Sequence, residues 1–385
     1  MSVMLSIDYI ASQTLKWVTK GSEKNDPGSI ILFEPQSDGT YSISTNTSPH
    51  KRVMFVTTNG TSSADGDNPF CAVRSKAVDK ITDKVEEDTV LSIELKDDKV
   101  ILSSGATSFK LDNLYDSTMI VHHEEDTHNE IRIDYAELIP AITRAQNIGN
   151  NSDIRLQAVK DENIIQISSG DDDIHSNEIF TASPGDDFTF IIPAAHLKAV
   201  NESAMKKIEP DDVTINSGHG LLEFVFTPLA GEATSVKKFH YVFPTFIGKS
   251  DMDDNLCDDD FSNGFIVDKR TLSSAVSFVS AATKGDSVVT LDATQGVNRV
   301  SVKVNDNDGS AQTTVVDAQI DNPIIITISS GLFLKALKAA TGKQITVGLF
   351  DDDDWVSITP VFNEDAESES SNSDIIIAAR QYTED

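Results

Sequence analysis

Two short segments recur three times in the same order along the chain, and this recurrence limits the fold more than any other feature. The first is an aliphatic-Asp step ahead of an amphipathic stretch, at Ile7-Asp8-Tyr9, Ile133-Asp134-Tyr135 and Val267-Asp268-Lys269. The second is a Lys-Ala-aliphatic step at Lys76-Ala77-Val78, Lys198-Ala199-Val200 and Lys335-Ala336-Leu337. The three Asp residues are 126 and 134 positions apart, and the second segment follows the first by 68, 64 and 67 residues. A triplet alone carries no weight, but six landmarks in one order and one spacing imply three tandem copies of a single domain. A chain of 385 residues has room for them, at roughly 100 to 200 residues per domain. The expected domains are 1–121, 128–248 and 261–385, parted by the polar stretches His122–Asp126 and Lys249–Asp260.

Each copy is expected to hold two helices, at 7–20 and 73–85, 133–147 and 193–208, and 268–284 and 330–343. The opening helices place Ile10, Leu15 and Val18, then Leu138, Ile142 and Ala145, then Leu272, Val276 and Val279 on one face. Asp8, Asp134 and Asp268 stand where a carboxylate satisfies the exposed amides of a helix start. Pro193 suits the first turn of the second copy's other helix. Between the helices, β-rich runs alternate with polar turns, as in Leu91–Leu95, Asp97-Asp98 and Val100–Leu102, or Val288–Leu291 and Val300–Val304. The expected class is α+β: three tandem copies of a domain in which a helix pair covers antiparallel sheet.

Charge is divided between these elements. The chain carries a net charge of −31, which in itself argues against nucleic acid. Yet the six expected helices hold 16 of the 31 Lys and Arg residues and only 7 of the 62 Asp and Glu residues. Acid collects in the loops, at Asp171–Asp173, Asp258–Asp260 and Asp351–Asp354. If the helices line one side of a curved layer, three copies form an arc that is basic inside and acidic outside. Two arcs joined head to tail close a ring.

The local motifs point to no catalysis. Cys71 and Cys257 lack CxxC or His spacing and read as free thiols. His122, His123 and His128 lie among acidic residues in an expected linker. Asn305–Gly309 resembles a calcium loop whose first ligand position is Val304 and which lacks its closing Glu, so it reads as a turn. No phosphate-binding loop, zinc-protease motif or nucleophile elbow occurs in a strand-to-helix context. No metal or cofactor is expected, and the absence of a long apolar run or leader points to a cytoplasmic protein without membrane contact.

Over nearly its whole length the sequence resembles the bacterial-type beta sliding clamp, the DNA polymerase III beta subunit family of replication processivity factors. The first copy ends Val100–Leu111, similar to the family's strand, Ser/Gly turn and Phe-x-Leu; the second ends Tyr241–Phe246, similar to Phe-Pro-Asp-Tyr; the third ends on Asp374–Arg380. The resemblance implies a non-enzymatic homodimer of six domains that encircles double-stranded DNA without reading its sequence, loaded by a clamp loader ATPase and tethering DNA polymerase. It implies a partner-peptide pocket between the second and third domains, matched here by Ser168, Gly170, Pro244, Leu332, Ile377, Ala378, Ala379 and Arg380. The family's Thr-Asp-Gly-His-Arg is Ser168–Asp172 here, and its Met-Pro-Met is Ile377-Ala378-Ala379. Phe109 and Leu111 match one side of the subunit interface, and Ala281 and Ala282 match the other. The DNA-facing cations expected on the helices are Lys16, Lys20, Arg74, Lys76, Lys80, Lys84, Arg144, Lys198, Lys206, Lys207, Lys269, Lys335 and Lys338. The competing expectation is an acidic, β-rich structural or surface protein whose Asp-rich turns bind calcium.

Overall fold

The structure is a computed structural model; it describes residues 4–21, 29–36, 39–45, 52–57, 60–61, 70–119, 129–149, 153–170, 173–192, 210–218, 221–228, 236–244, 262–281, 283, 287–294, 298–305, 311–349, 355–361 and 371–378. The first copy runs β1 (Met4–Ile7), α1 (Tyr9–Gly21), β2 (Ile30–Pro35), β3 (Tyr41–Thr45), β4 (Arg52–Thr57), β5 (Gly60–Thr61), β6 (Cys71–Arg74), α2 (Ser75–Thr82), β7 (Leu91–Lys96), β8 (Lys99–Ser104) and β9 (Thr107–Asp112). The second runs β10 (Asn129–Asp134), α3 (Tyr135–Gly149), β11 (Ile154–Val159), β12 (Ile164–Gly170), β13 (Ile174–Thr181), β14 (Phe188–Ile192), β15 (Pro210–Gly218), β16 (Leu221–Pro228) and β17 (Val236–Pro244). The third runs β18 (Ser262–Asp268), α4 (Lys269–Ser280), β19 (Val288–Asp292), β20 (Arg299–Asn305), β21 (Ala311–Ile320), β22 (Ile325–Ser329), α5 (Ser330–Ala339), β23 (Gln344–Leu349), β24 (Trp355–Pro360) and β25 (Ser371–Ala378). The helix expected at 193–208, the linker histidines, Cys257 and the Asp351–Asp354 run lie outside the described residues.

Strand pairing repeats as the sequence does. In each copy one set of four strands forms the order β6-β2-β3-β4, β14-β11-β12-β13 or β22-β19-β20-β21, and a second set forms β1-β7-β8-β9, β10-β15-β16-β17 or β18-β23-β24-β25, with the short β5 added beside β1 in the first copy. All of these pairings are antiparallel. Hairpin chemistry fixes the registers: Asp97 and Asp98 sit at φ 49° and 58° between β7 and β8, the left-handed pair that a two-residue turn requires.

Copies are also joined strand to strand. The last strand of the second copy, β17, pairs with the fourth strand of the first, β4. The last strand of the third copy, β25, pairs with the fourth strand of the second, β13. The compact units therefore cut across the expected domain limits: one comprises Met1–Leu138 and Lys198–Phe246, the other Ile139–Leu197 and Ile247–Asp385. In the second unit Ile148 of α3 and Ile174 of β13 share one core with Phe265, Leu272, Val276, Phe333 and Leu337 of the third copy. In the first unit Leu5, Ile7, Leu15, Val18, Ile81, Leu91 and Leu102 are all at most 2% exposed, each such side chain contributing about 1.5–3 kcal/mol by leaving water.

The expected helix starts move by one or two residues, for a definite reason. Ile7, Ile133 and Val267 end the strands β1, β10 and β18, and the following Asp turns strand into helix. Asp8 Oδ1 accepts from the Ala11 amide at 2.8 Å, Asp134 Oδ1 from Ala136 at 2.7 Å and Asp268 Oδ1 from Thr271 at 2.7 Å. Each thus satisfies an amide that the helix itself leaves unpaired.

Candidate nucleic-acid interface, partner pocket and strand edges

The helix cations fall into two groups. Asp79 of α2 accepts from Thr19 of α1 at 3.3 Å, and Asp83, just past the end of α2, pairs with Lys16. Both carboxylates are thereby turned toward α1, and Lys76, Lys80 and Lys84 stay exposed. Lys76 and Lys80 are one helical turn apart on one face, with Arg74, also exposed, just ahead of the helix. Lys338, in the last turn of α5, is exposed as well.

Other expected DNA contacts are otherwise engaged. The Lys269 ammonium donates to the Ala340 carbonyl at the end of α5 at 2.8 Å, and Lys335 donates to the Ile148 carbonyl at the end of α3 at 2.7 Å. A cation at a helix C-terminus satisfies free carbonyls and opposes the negative end of the dipole. Arg144 is a correction to the sequence expectation. It is 9% exposed and forks onto Glu178, which is fully buried, so its guanidinium does not face solvent. Its position on the apolar side of α3 hid this, because no local signal names a carboxylate 34 residues away. The Lys20 side chain, and Lys198, Lys206 and Lys207 entirely, lie outside the described residues.

Of the residues expected at a partner pocket, Ser168, Gly170, Ile377 and Ala378 lie near the ends of neighbouring strands of the second unit. Ser168 is 2% exposed near the end of β12, and Gly170 closes that strand opposite His175. A Cβ at Gly170 would stand 2.4 Å from the Ile174 carbonyl oxygen and 2.6 Å from His175 Nδ1, so only glycine fits. The β13-β25-β24 ladder sets Ile377 opposite Ile174 and Ala378 opposite Trp355. The His175 ring lies 5.5 Å from the Trp355 ring. That His175 and Trp355 meet was not legible in the sequence, since only the β13-β25-β24 register brings them together. Leu332, half-buried in the first turn of α5, packs on the adjoining core. Pro244 ends β17 opposite Leu221 in the other unit; Ala379 and Arg380 lie outside the described residues.

The expected interface residues lie at open edges. Phe109 and Leu111 are half-buried on β9, which pairs only with β8 among the described residues. Ala281, exposed, closes α4, and Ala282 lies outside the described residues. One turn earlier Phe278 is 67% exposed; it stands off the Leu272-Val276-Val279 stripe, a signal available in the sequence. Strand β21 pairs with β18 only through Ala318, Gln319 and Ile320. Beyond that point the strands part around a cavity of about 860 Å³ lined by Asp268, Asn298, Arg299, Asp317 and Gln344. No helix among the described residues is long and apolar enough to cross a membrane.

No protein-family model matches the chain, and no curated protein matches it. Solved structures do. A sliding clamp (DNA polymerase III subunit beta) from Pseudomonas aeruginosa bound to griselimycin superposes with a TM-score of 0.74 at 14% identity, covering 99% of this chain and all of that one. A Helicobacter pylori beta clamp in complex with 5-chloroisatin gives 0.76 at 13% identity, with the same coverage. The P. aeruginosa DNA polymerase III subunit beta gives 0.72 at 15% identity over 98% of this chain. The chain thus has, from end to end, the fold of the bacterial beta sliding clamps in a strongly divergent sequence.

Proposed function

We propose that this protein is a DNA sliding clamp: two chains join head to tail into a six-domain ring around duplex DNA and hold DNA polymerase to it, without catalysing a reaction. One observation carries the reading. The last strands of the second and third copies each pair with the fourth strand of the copy before, as β17 does with β4 and β25 with β13. Applied once more, that rule pairs β9 with β21; among the described residues β9 has one open edge, and β21 is covered on the matching side only at Ala318–Ile320. A second copy satisfies both edges, and the same contact made twice closes the assembly. The domains are then 1–121, 128–248 and 261–385, each keeping its two sheets.

Within the ring, Lys76, Lys80, Lys84 and Lys338 supply phosphate contacts that leave the duplex free to slide, because they read charge and no base. The site around Ser168, Gly170, Leu332, Ile377 and Ala378 takes the polymerase peptide, and a clamp loader ATPase opens the ring. Such a protein works in the cytoplasm beside the replicating DNA. The test is retention on DNA of two topologies. Loaded protein stays on closed circular DNA through a salt wash and leaves linear DNA of the same sequence. Equal salt-dependent loss from both would mean ordinary groove binding, which weakens by about 10³- to 10⁵-fold between 50 and 200 mM salt for 6 to 10 phosphate contacts.

A further inference from the structure

The tenth residue after each capping Asp is Val18 in the first copy, Arg144 in the second and Phe278 in the third. Val18 is fully buried and Arg144 is 9% exposed, but Phe278 is 67% exposed. The helices are otherwise alike: Leu138, Ala141, Ile142 and Ala145 of α3 and their counterparts Leu272, Ala275, Val276 and Val279 of α4 are all buried. What differs is the neighbouring strand. The fourth strands of the first two copies, β4 and β13, carry a partner from the following copy, and among the described residues β21, the fourth strand of the third copy, has no partner on that side along Ala311–Asp317.

We infer that Phe278 is the apolar anchor that closes the ring, seated against Phe109 and Leu111 of a second copy. The inference rests on the head-to-tail reading above and names the residue that supplies its adhesion. Side-chain parity fits. On β9 Thr107, Phe109 and Leu111 are half-buried and alternate with exposed Ser108, Lys110 and Asp112. On β21 Val316 and Ala318 are buried and alternate with exposed Val315 and Asp317, and α4 packs across this strand. β18 meets β21 at Ala318–Ile320 and leads directly into α4, which packs on both β21 and β20; we take the far end of α4, with Phe278, as the part nearest the Ala311–Asp317 half of β21. A strand added there with its apolar side toward the helix brings Phe109 and Leu111 beneath Phe278. Ala281, whose side chain is a single methyl, offers little area at the same helix end, and burying an aromatic contributes the larger share.

The experiment is sedimentation velocity of the full chain and of Phe278→Ser, with a disulfide trap between Phe278→Cys in one copy and Phe109→Cys in another under oxidised glutathione. The expected result is a dimeric parent, a Phe278→Ser dimer weakened roughly 10- to 100-fold with an unchanged circular dichroism spectrum, and a covalent dimer only when both cysteine variants are mixed. A dimeric parent with undiminished Phe278→Ser association and no trapped dimer overturns the role of Phe278 and leaves the ring standing. A parent that stays monomeric at every concentration overturns the ring reading itself. Should Phe278→Ser fail to fold, the trap alone decides.

Discussion

Arg144 of α3 forks onto Glu178 of β13, and the carboxylate is wholly removed from solvent. Removing either partner strands a charge in the core of the second unit. Glu178→Ala is expected to cost about 3–5 kcal/mol, whereas Arg144→Met with Glu178→Leu should be close to neutral or stabilising. Urea unfolding of the two variants separates these outcomes. A double variant as weak as the single one would show that the pair contributes more than mutual neutralisation.

The lysines divide by what they touch. Lys76→Glu with Lys80→Glu and Lys84→Glu should leave unfolding unchanged and lower the salt dependence of DNA association, by about 0.9 in log-log slope for each phosphate no longer neutralised. Lys335→Glu should act the other way. It sets a carboxylate against the Ile148 carbonyl that Lys335 now holds at 2.7 Å, so stability falls by about 1–2 kcal/mol. Binding isotherms at several salt concentrations, beside thermal melts, read both effects.

How far the sequence carried follows from which contacts are local. The capping role of Asp8, Asp134 and Asp268 was legible because its partner amides lie two or three residues ahead. The threefold order was legible from spacing alone. The fate of individual cations was not: Lys76 and Lys335 occupy matching triplets, yet one faces solvent and the other ties down a helix end 187 residues away. The compact units were hidden for the same reason, since β17 with β4 and β25 with β13 are pairings between distant segments. The aromatic pair of His175 and Trp355 is a product of those pairings.

The caps also set an acid limit. The Thr271 hydroxyl and then the Thr271 amide, both bonded to the Asp268 carboxylate, hold its pKa below the ordinary carboxylate value. A depressed folded pKa stabilises above the unfolded value of about 3.9 and loses that contribution as pH falls through the folded value. Asp268→Ala should therefore cost about 0.5–2 kcal/mol at neutral pH and progressively less as the medium becomes more acid. Urea midpoints of parent and variant should converge at low pH.

In the first copy an alkaline limit is expected. Burial raises the Cys71 thiol from 9.0 to about 12, and burial, with Cys71 second, raises Tyr41 from 10.0 to about 12. Among the described residues the buried Tyr41 hydroxyl oxygen has no hydrogen-bond partner. Raised folded pKa values stabilise fully below the unfolded values and lose that contribution as pH rises toward 12. Stability should thus decline from about pH 9 upward, and Tyr41→Phe should flatten part of that decline. In a Cys257→Ser background, Cys71 should resist a thiol reagent until the first unit unfolds; rapid labelling of the native protein would contradict its burial.

Gly170 gives the sharpest test of the pocket. Any Cβ there runs into the Ile174 backbone oxygen and the His175 ring, and the ring is the side chain that meets Trp355. Gly170→Ala should cost about 1–3 kcal/mol through forced displacement and should move His175 against Trp355. Because the chain has only two tryptophans, a Trp17→Phe background isolates Trp355 fluorescence. A polymerase C-terminal peptide should perturb that emission in the parent and bind at least several-fold more weakly to Gly170→Ala and Trp355→Ala. Full affinity in both variants, with the peptide still bound, would move the partner site away from the β12-β13-β25-β24 strand ends.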